Sequence, residues 1–220
     1  MKPSKFFTTQ EFEQIQNTVQ ETEKKISGEI VPVFLQQSDS YRETYWKSIC
    51  IFTSIAMMAI VAREFFWKQI IFYTPLDIVL ILGISIIVGF LTTYIPSYKR
   101  LLIGKSTMQE RVTQAAESLF LQENVMETKH RTGILILLSL FERTVFIKAD
   151  KGIAEKVSQE EWDDIIAQIT ATIKQGKQAK AITNAIEYCG ILIEKHGFVI
   201  ASDDTNELPN TLRVRKRVKK

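Results

Sequence analysis

Two uninterrupted apolar runs in the middle of the chain limit what it can fold into more than any other feature. The first, Ser48 to Ala62, reads SICIFTSIAMMAIVA and carries no charge. Tyr45 and Trp46 precede it, and Phe65, Phe66 and Trp67 follow, the placement of interfacial aromatic belts. With Arg63 snorkelling outward, a helix from Trp46 to Trp67 covers roughly 30 Å at about 1.5 Å per residue, which spans a bilayer core. The second run, Ile78 to Ile95, has about the 18 residues a spanning helix needs. Thr74, Pro75 and Asp77 upstream of it take the N-cap, N1 and N3 positions, so Asp77 is expected to stabilise the helix start; the alternative is a carboxylate on an ion pathway. Ser85 and Gly89 form a small-xxx-small pair able to seat the partner helix or a second copy. The expectation is a transmembrane hairpin over residues 45–98, against a soluble alternative of two buried core helices that a domain of this size cannot easily cover.

The overall averages, 45% hydrophobic and 24% charged, look soluble because the charged flanks offset these runs. Among basic residues near the spans, Arg42, Lys47, Lys99, Arg100 and Lys105 lie on the side of the termini, against Arg63 and Lys68 in the connection, so both termini and the soluble domain are expected in the cytoplasm. Met1 to Gln20 contains no apolar signal-like region, which agrees. The net charge of +3 owes much to the last residues, Arg213, Arg215, Lys216, Arg217, Lys219 and Lys220. Residues 199–220 read as a disordered charged tail whose Arg213, Arg215, Lys216 and Arg217 can be drawn to anionic lipid headgroups. Nucleic acid is not expected as a partner, since no basic, aromatic-bearing folded surface is visible. Cys50 and Cys189 suggest no disulfide framework.

The flanks read as one α/β domain in two pieces, residues 1–44 and 99–198. Thr8 and Glu11 form a capping box, Phe7 and Phe12 have staple spacing, and Phe12, Ile15, Val19 and Ile26 share a face, with Gly28 as the stop. Glu29 to Leu35 is a strand apolar on both faces, with Pro32 arguing for an edge position or a bulge. After the hairpin, Thr107 and Glu110 predict another capped helix with Val112, Ala115, Ala116, Leu119 and Phe120 inward. Ile134 to Leu140 reads as a central strand and Thr144 to Ala149 as its hairpin partner. Ser158 and Glu161 cap a helix that buries Trp162, Ile165, Ile166, Ile169 and Ile173 and ends at Gly176. A last helix, from about Gln178 to His196, turns Ile182, Ala185, Ile186, Cys189 and Ile193 inward. The predicted class is α/β: a small mixed-sheet α/β/α sandwich interrupted by a two-helix transmembrane hairpin.

SGEIVPVFLQQSDSY from Ser27 to Tyr41, RTGILILLSLFERTVFIKADKGI from Arg131 to Ile153, and the stretch around Trp162 with the closing helix resemble the TPM domain family. That family is named after a thylakoid lumen protein, a photosystem II repair factor and a nematode receptor accessory protein. Ser27, Gly28 and Glu29, the turn at Glu142 and Arg143, and Asp150 with Gly152 and Ile153 look like its signature positions. The resemblance implies a compact α/β/α sandwich attached to a membrane, in a family whose members assist membrane complexes. Some relatives have been credited with acid phosphatase activity and with calcium binding through acidic loops. This chain departs from the commoner pattern, in which an export signal places the domain outside the cytoplasm.

The chain has no Gly-rich phosphate loop, no nucleophile elbow and no histidine pair at metal spacing. His130 falls in a polar connection and His196 at a helix C-terminus, where a partial positive charge is stabilising. The candidate site residues are acids at strand ends, Asp39, Glu142 and Asp150, which could converge on a Ca²⁺ ion because hard cations take several loop oxygens. Against this, each has an ordinary reading as a linker, hairpin-tip or turn residue. The function expected is a membrane-anchored interaction or assembly module, with enzymatic activity left open, the lipid bilayer and a membrane protein as partners and self-association as a further option. The alternative is a metal-dependent, calcium-binding hydrolase of acid-phosphatase type.

Overall fold

The structure is a computed structural model that describes residues 6–66, 74–200 and 207–217. Met1, Trp67, Lys68, Lys219 and Lys220, used above, lie outside the described residues. The chain divides into two compact units, one made of residues 1–39 and 109–220 and the other of residues 40–108.

In the first unit, helix α1 (Thr9–Glu23) opens with the expected capping box, Thr8 accepting from the Glu11 N–H while Glu11 accepts in return. Phe7 lies before the cap and meets Phe34 edge-on at 4.7 Å. The helix ends at Glu23, earlier than Gly28. Gly28 answers a different need, because a Cβ there would stand 3.1 Å from the Thr132 carbonyl oxygen. Strand β1 (Glu29–Leu35) is buried along its whole length and runs parallel to β2 (Gly133–Ser139). A parallel pair needs a long crossover, and the entire residue 40–108 unit is inserted into it. Strand β3 (Thr144–Ala149) is the antiparallel hairpin partner of β2, as predicted.

The fourth strand corrects the sequence reading. Residues 207–217 are not a disordered tail: β4 (Arg213–Arg215) pairs in parallel with Val33–Leu35 and completes the order β3-β2-β1-β4. β1 is therefore an interior strand where β4 covers it. Pro32 sits just beyond that cover. The N–H groups of Ile30 and Gln36 both point away from β2, to Glu23 and to the Arg215 carbonyl, so alternation puts the Pro32 nitrogen on that same side, below the point where β4 begins. A residue without an N–H is tolerated there.

Both faces of the sheet are covered. Ile30, Phe34, Ile134, Ile136 and Leu138 face α1, α7 (Gln159–Lys174) and α8 (Gln178–Lys195), whose Trp162, Ile165, Ile169, Ile173, Ile182, Ile186 and Cys189 complete that core. Val31, Val33, Leu35, Leu135 and Leu137 face α5 (Lys105–Gln122) through Val112, Ala115, Ala116 and Leu119. This is the α/β/α sandwich expected. The α7 capping box at Ser158 and Glu161 is present; the one expected at Thr107 and Glu110 is not, because α5 begins at Lys105, directly after Gly104. A short helix, α6 (Lys151–Ala154), and a 3₁₀ turn at Val125–Glu127 complete the unit. Cys189 is fully buried, which pushes its thiol far above the usual range, and both cysteines are free.

The second unit holds α2 (Glu43–Phe66), α3 (Pro75–Thr92) and α4 (Pro96–Ile103), the last not foreseen. Thr74 and Asp77 form a full capping box with Pro75 at the first position of α3. Gly89 lets α2 come close, since a Cβ on it would lie 2.9 Å from the Ile49 Cα. Beside it, the Ser48 hydroxyl is 2.9 Å from Thr92 Oγ1 and 3.1 Å from the Tyr98 hydroxyl, and Tyr45 stacks on Phe90 at 5.5 Å. Ser85 and Gly89 are both buried within this unit. At the base of the pair, Lys99 donates to the Ser40 carbonyl and lies over the rings of Tyr41 and Tyr45.

Candidate functional site at the strand ends

The C-terminal ends of β1 and β2 carry most of the polar chemistry singled out from the sequence. Glu142, in the β2–β3 turn, is buried; one carboxylate oxygen accepts the Ser38 N–H at 2.9 Å and the other accepts the Ser139 hydroxyl. Ser139 lies 3.1 Å from the Ser38 hydroxyl. A hydroxyl has one proton, and Ser139 gives its proton to Glu142, so Ser38 is the donor in that contact. The turn itself closes through Arg143, whose φ of 54° is a left-handed conformation. Asp39, one residue on from Ser38, pairs with Arg111 of α5 at 3.2 Å. The result is a clamp: an acid and two hydroxyls tie the exit of β1 to the β2–β3 turn.

Asp150 does not join them. It follows β3, and because β3 runs antiparallel to β2, Ala149 faces Ile134 at the start of β2 while Glu142 sits beyond its end. Six strand residues at about 3.3 Å each place the two acids roughly 20 Å apart. Asp150 caps α6, accepting the Lys151 N–H at 2.7 Å, and pairs with Arg131 at 2.9 Å. The three acids therefore do not form one calcium site. Among the described residues no group of three or more His, Cys, Asp or Glu side chains converges as a metal site would require.

The basic tail residues need a second correction. Arg213 and Arg215, read as lipid-facing, both turn inward onto Glu123: Arg213 Nε is 3.1 Å from one oxygen and Arg215 Nη2 binds the other. Alternation along β4 puts both on one face, and Glu123, directly after α5, lies under it. Lys216 and Arg217 are exposed. Two further acids were not among the candidate site residues. Glu29 accepts the N–H groups of Glu207 and Leu208 at 3.0 and 3.3 Å. Glu23 accepts the Ile30 N–H at 2.8 Å and the Asn210 side-chain amide. Burial pushes Glu23 up to about 8, with Glu29 adding to the rise and the Ile30 N–H and Arg213 opposing it. The available signal was Glu29 itself, a charge opening an otherwise apolar buried strand.

On the other face of the domain, Glu161 at the start of α7 receives Lys195 at 2.9 Å and His196 Nε2 at 3.0 Å. Lys195 and His196 hold its carboxyl down at about 2.

Fold and site together define an α/β/α sandwich on a mixed four-stranded sheet, with a polar clamp at the strand ends. Residues 100–190 match the family model described as the TPM domain, the family its motifs resembled. The NMR structure of the BA42 protein from the psychrophilic bacterium Bizionia argentinensis is similar over 96% of this chain and 97% of its own, with a TM-score of 0.58 and 22% identity. At that identity the likeness shows the fold alone. A search of curated proteins gave no match.

Proposed function

We propose that α2 and α3 anchor this TPM-domain protein in a membrane and that its α/β unit works as an interaction or assembly module for a membrane complex. One observation carries the reading. The two helices are long and apolar enough to cross a bilayer, yet only 6% and 11% of their most apolar stretches are buried. Core helices of a soluble protein would be mostly covered. Here Ile55, Met58, Val61, Phe65, Leu80, Ile84, Ile87 and Leu91 all stand exposed, a surface that water would penalise and lipid would not. Arg42, Lys47, Lys99, Arg100 and Lys105, on the side of the termini, favour a cytoplasmic placement for the α/β unit.

The strand-end carboxylates Asp39, Glu142 and Asp150 are each engaged by neighbouring protein groups. Fractionation tests the anchor: the full-length protein is expected in the membrane pellet after an alkaline carbonate wash, and recovery in the supernatant without detergent overturns it. Photocrosslinking in native membranes from the Asp39 end of the sheet tests the module; capture no greater than that of the hairpin alone rejects that part.

A further inference from the structure

β1 has two kinds of edge. Toward β2 it is paired from Glu29 to Leu35, whereas on the far side only Val33–Leu35 are paired, with three residues of β4. The rest of that side is blunted: Glu23 terminates the Ile30 N–H, and Pro32 has no N–H to offer. What holds residues 207–217 in place is therefore mainly side-chain chemistry. Glu29 takes two successive backbone N–H groups, Glu23 takes the Asn210 amide, and Glu123 takes Arg213 and Arg215. Leu212 is the one apolar side chain of the segment that is fully buried among the described residues.

Three acids from three different elements thus converge on one short extended segment. Burying carboxylates is a poor way to gain stability, since apolar side chains of similar size do as well or better, but it discriminates sharply among occupants. The raised Glu23 carboxyl fits this picture, because the segment itself helps keep Glu23 and Glu29 dry beside one another.

We propose that the outer edge of β1, lined by Glu23, Glu29 and Glu123, is a docking site for an extended peptide segment with two arginines two residues apart, and that the chain's own residues 207–217 occupy it as a displaceable strap. The recognition mode is strand addition, with the backbone of residues 33–36 supplying the ladder and the carboxylates the selectivity. The intramolecular segment has the advantage of tethering, so a partner gains access when the strap is released. This site is separate from the membrane reading and stands or falls without it.

The test uses full-length protein in detergent and a fluorescent peptide copying residues 207–217. The Arg213→Glu, Arg215→Glu protein is expected to bind the peptide saturably and at least tenfold more tightly than wild type does. Adding Glu123→Arg should abolish that binding and, because the reversed strap then complements the reversed edge, close the site again, so that a peptide carrying the same two Arg→Glu changes binds no more tightly than the native peptide binds wild type. A folded double variant that ignores the peptide up to roughly 1 mM overturns the proposal. So does a double variant that takes up only the strap of a wild-type copy, which would make the edge a self-assembly surface. If the double variant does not fold, hydrogen exchange on wild type decides. The Gln36 amide, bonded to the Arg215 carbonyl, should exchange at least about tenfold faster than the Leu140 amide, bonded to the Leu35 carbonyl. Equal exchange of the two would show a permanent strand and reject the strap.

Discussion

Ser38 donates its backbone N–H to Glu142 at 2.9 Å, a bond that joins the exit of β1 to the turn after β2. With the Ser139 hydroxyl on the other oxygen, Glu142 serves two donors that no other strand-end acid reaches in the same way.

Replacing that acid should therefore be costly. Glu142→Ala leaves the Ser38 N–H and the Ser139 hydroxyl without their acceptor and is expected to destabilise the α/β unit by about 2 to 3 kcal/mol. Glu142→Gln should lose less, because its amide oxygen still accepts one of the two. Urea unfolding followed by tryptophan fluorescence measures both; equal losses would mean the charge, not the geometry, matters.

Glu23 sets a pH dependence. Its folded carboxyl is raised to about 8 from an ordinary 4.5, mainly by burial, so the folded state keeps a proton that the unfolded chain has released. Stability should then fall as pH rises from 4.5 through 8 and level off above it. Glu29, Arg213, Asn210 and the Ile30 N–H face this group. Glu23→Gln is expected to flatten that part of the melting-temperature profile; an unchanged slope would place the dependence elsewhere.

Glu161 works in the opposite sense. Held down at about 2 by Lys195 and His196, it contributes stability that is present above 4.5 and lost as pH falls toward 2. Glu161→Gln should weaken the neutral-pH protein relative to the wild type and narrow the gap between them in acid, as read from paired thermal melts at each pH.

In the helix pair, two glycines should behave differently. Gly89→Leu drives a side chain into the Ile49 backbone and is expected to part α2 from α3, whereas Gly83→Leu meets open space. A disulfide between Ser48→Cys and Thr92→Cys, whose native hydroxyls are 2.9 Å apart, reports the pairing. Its yield should drop severalfold for Gly89→Leu alone.

What the sequence revealed was local. The boxes at Thr8, Thr74 and Ser158 act within four residues of their helices, and all three form. The box at Thr107 failed because α4, invisible as a pattern, delivers the chain through Gly104 (φ 81°) into a helix that has already begun at Lys105. β4 was missed for a longer-range reason: Arg-Val-Arg reads as a solvated run until Glu123, far away in sequence, is known to lie beneath it. The acids at the strand ends look alike in one dimension. The antiparallel sense of the β2–β3 hairpin sends Glu142 and Asp150 to opposite ends, and the hairpin itself was legible.

The place of β1 in the sheet also governs when the domain can exist at all. Glu29–Leu35 is made before either of its partners, Gly133–Ser139 and Arg213–Arg215, so translation must pass the whole helical insertion before the first neighbour arrives and continue through α7 and α8 before the second. Until β2 is made, a strand with an apolar surface on both faces waits unpaired, and a nascent-chain chaperone has more to do here than the size of the finished domain would suggest.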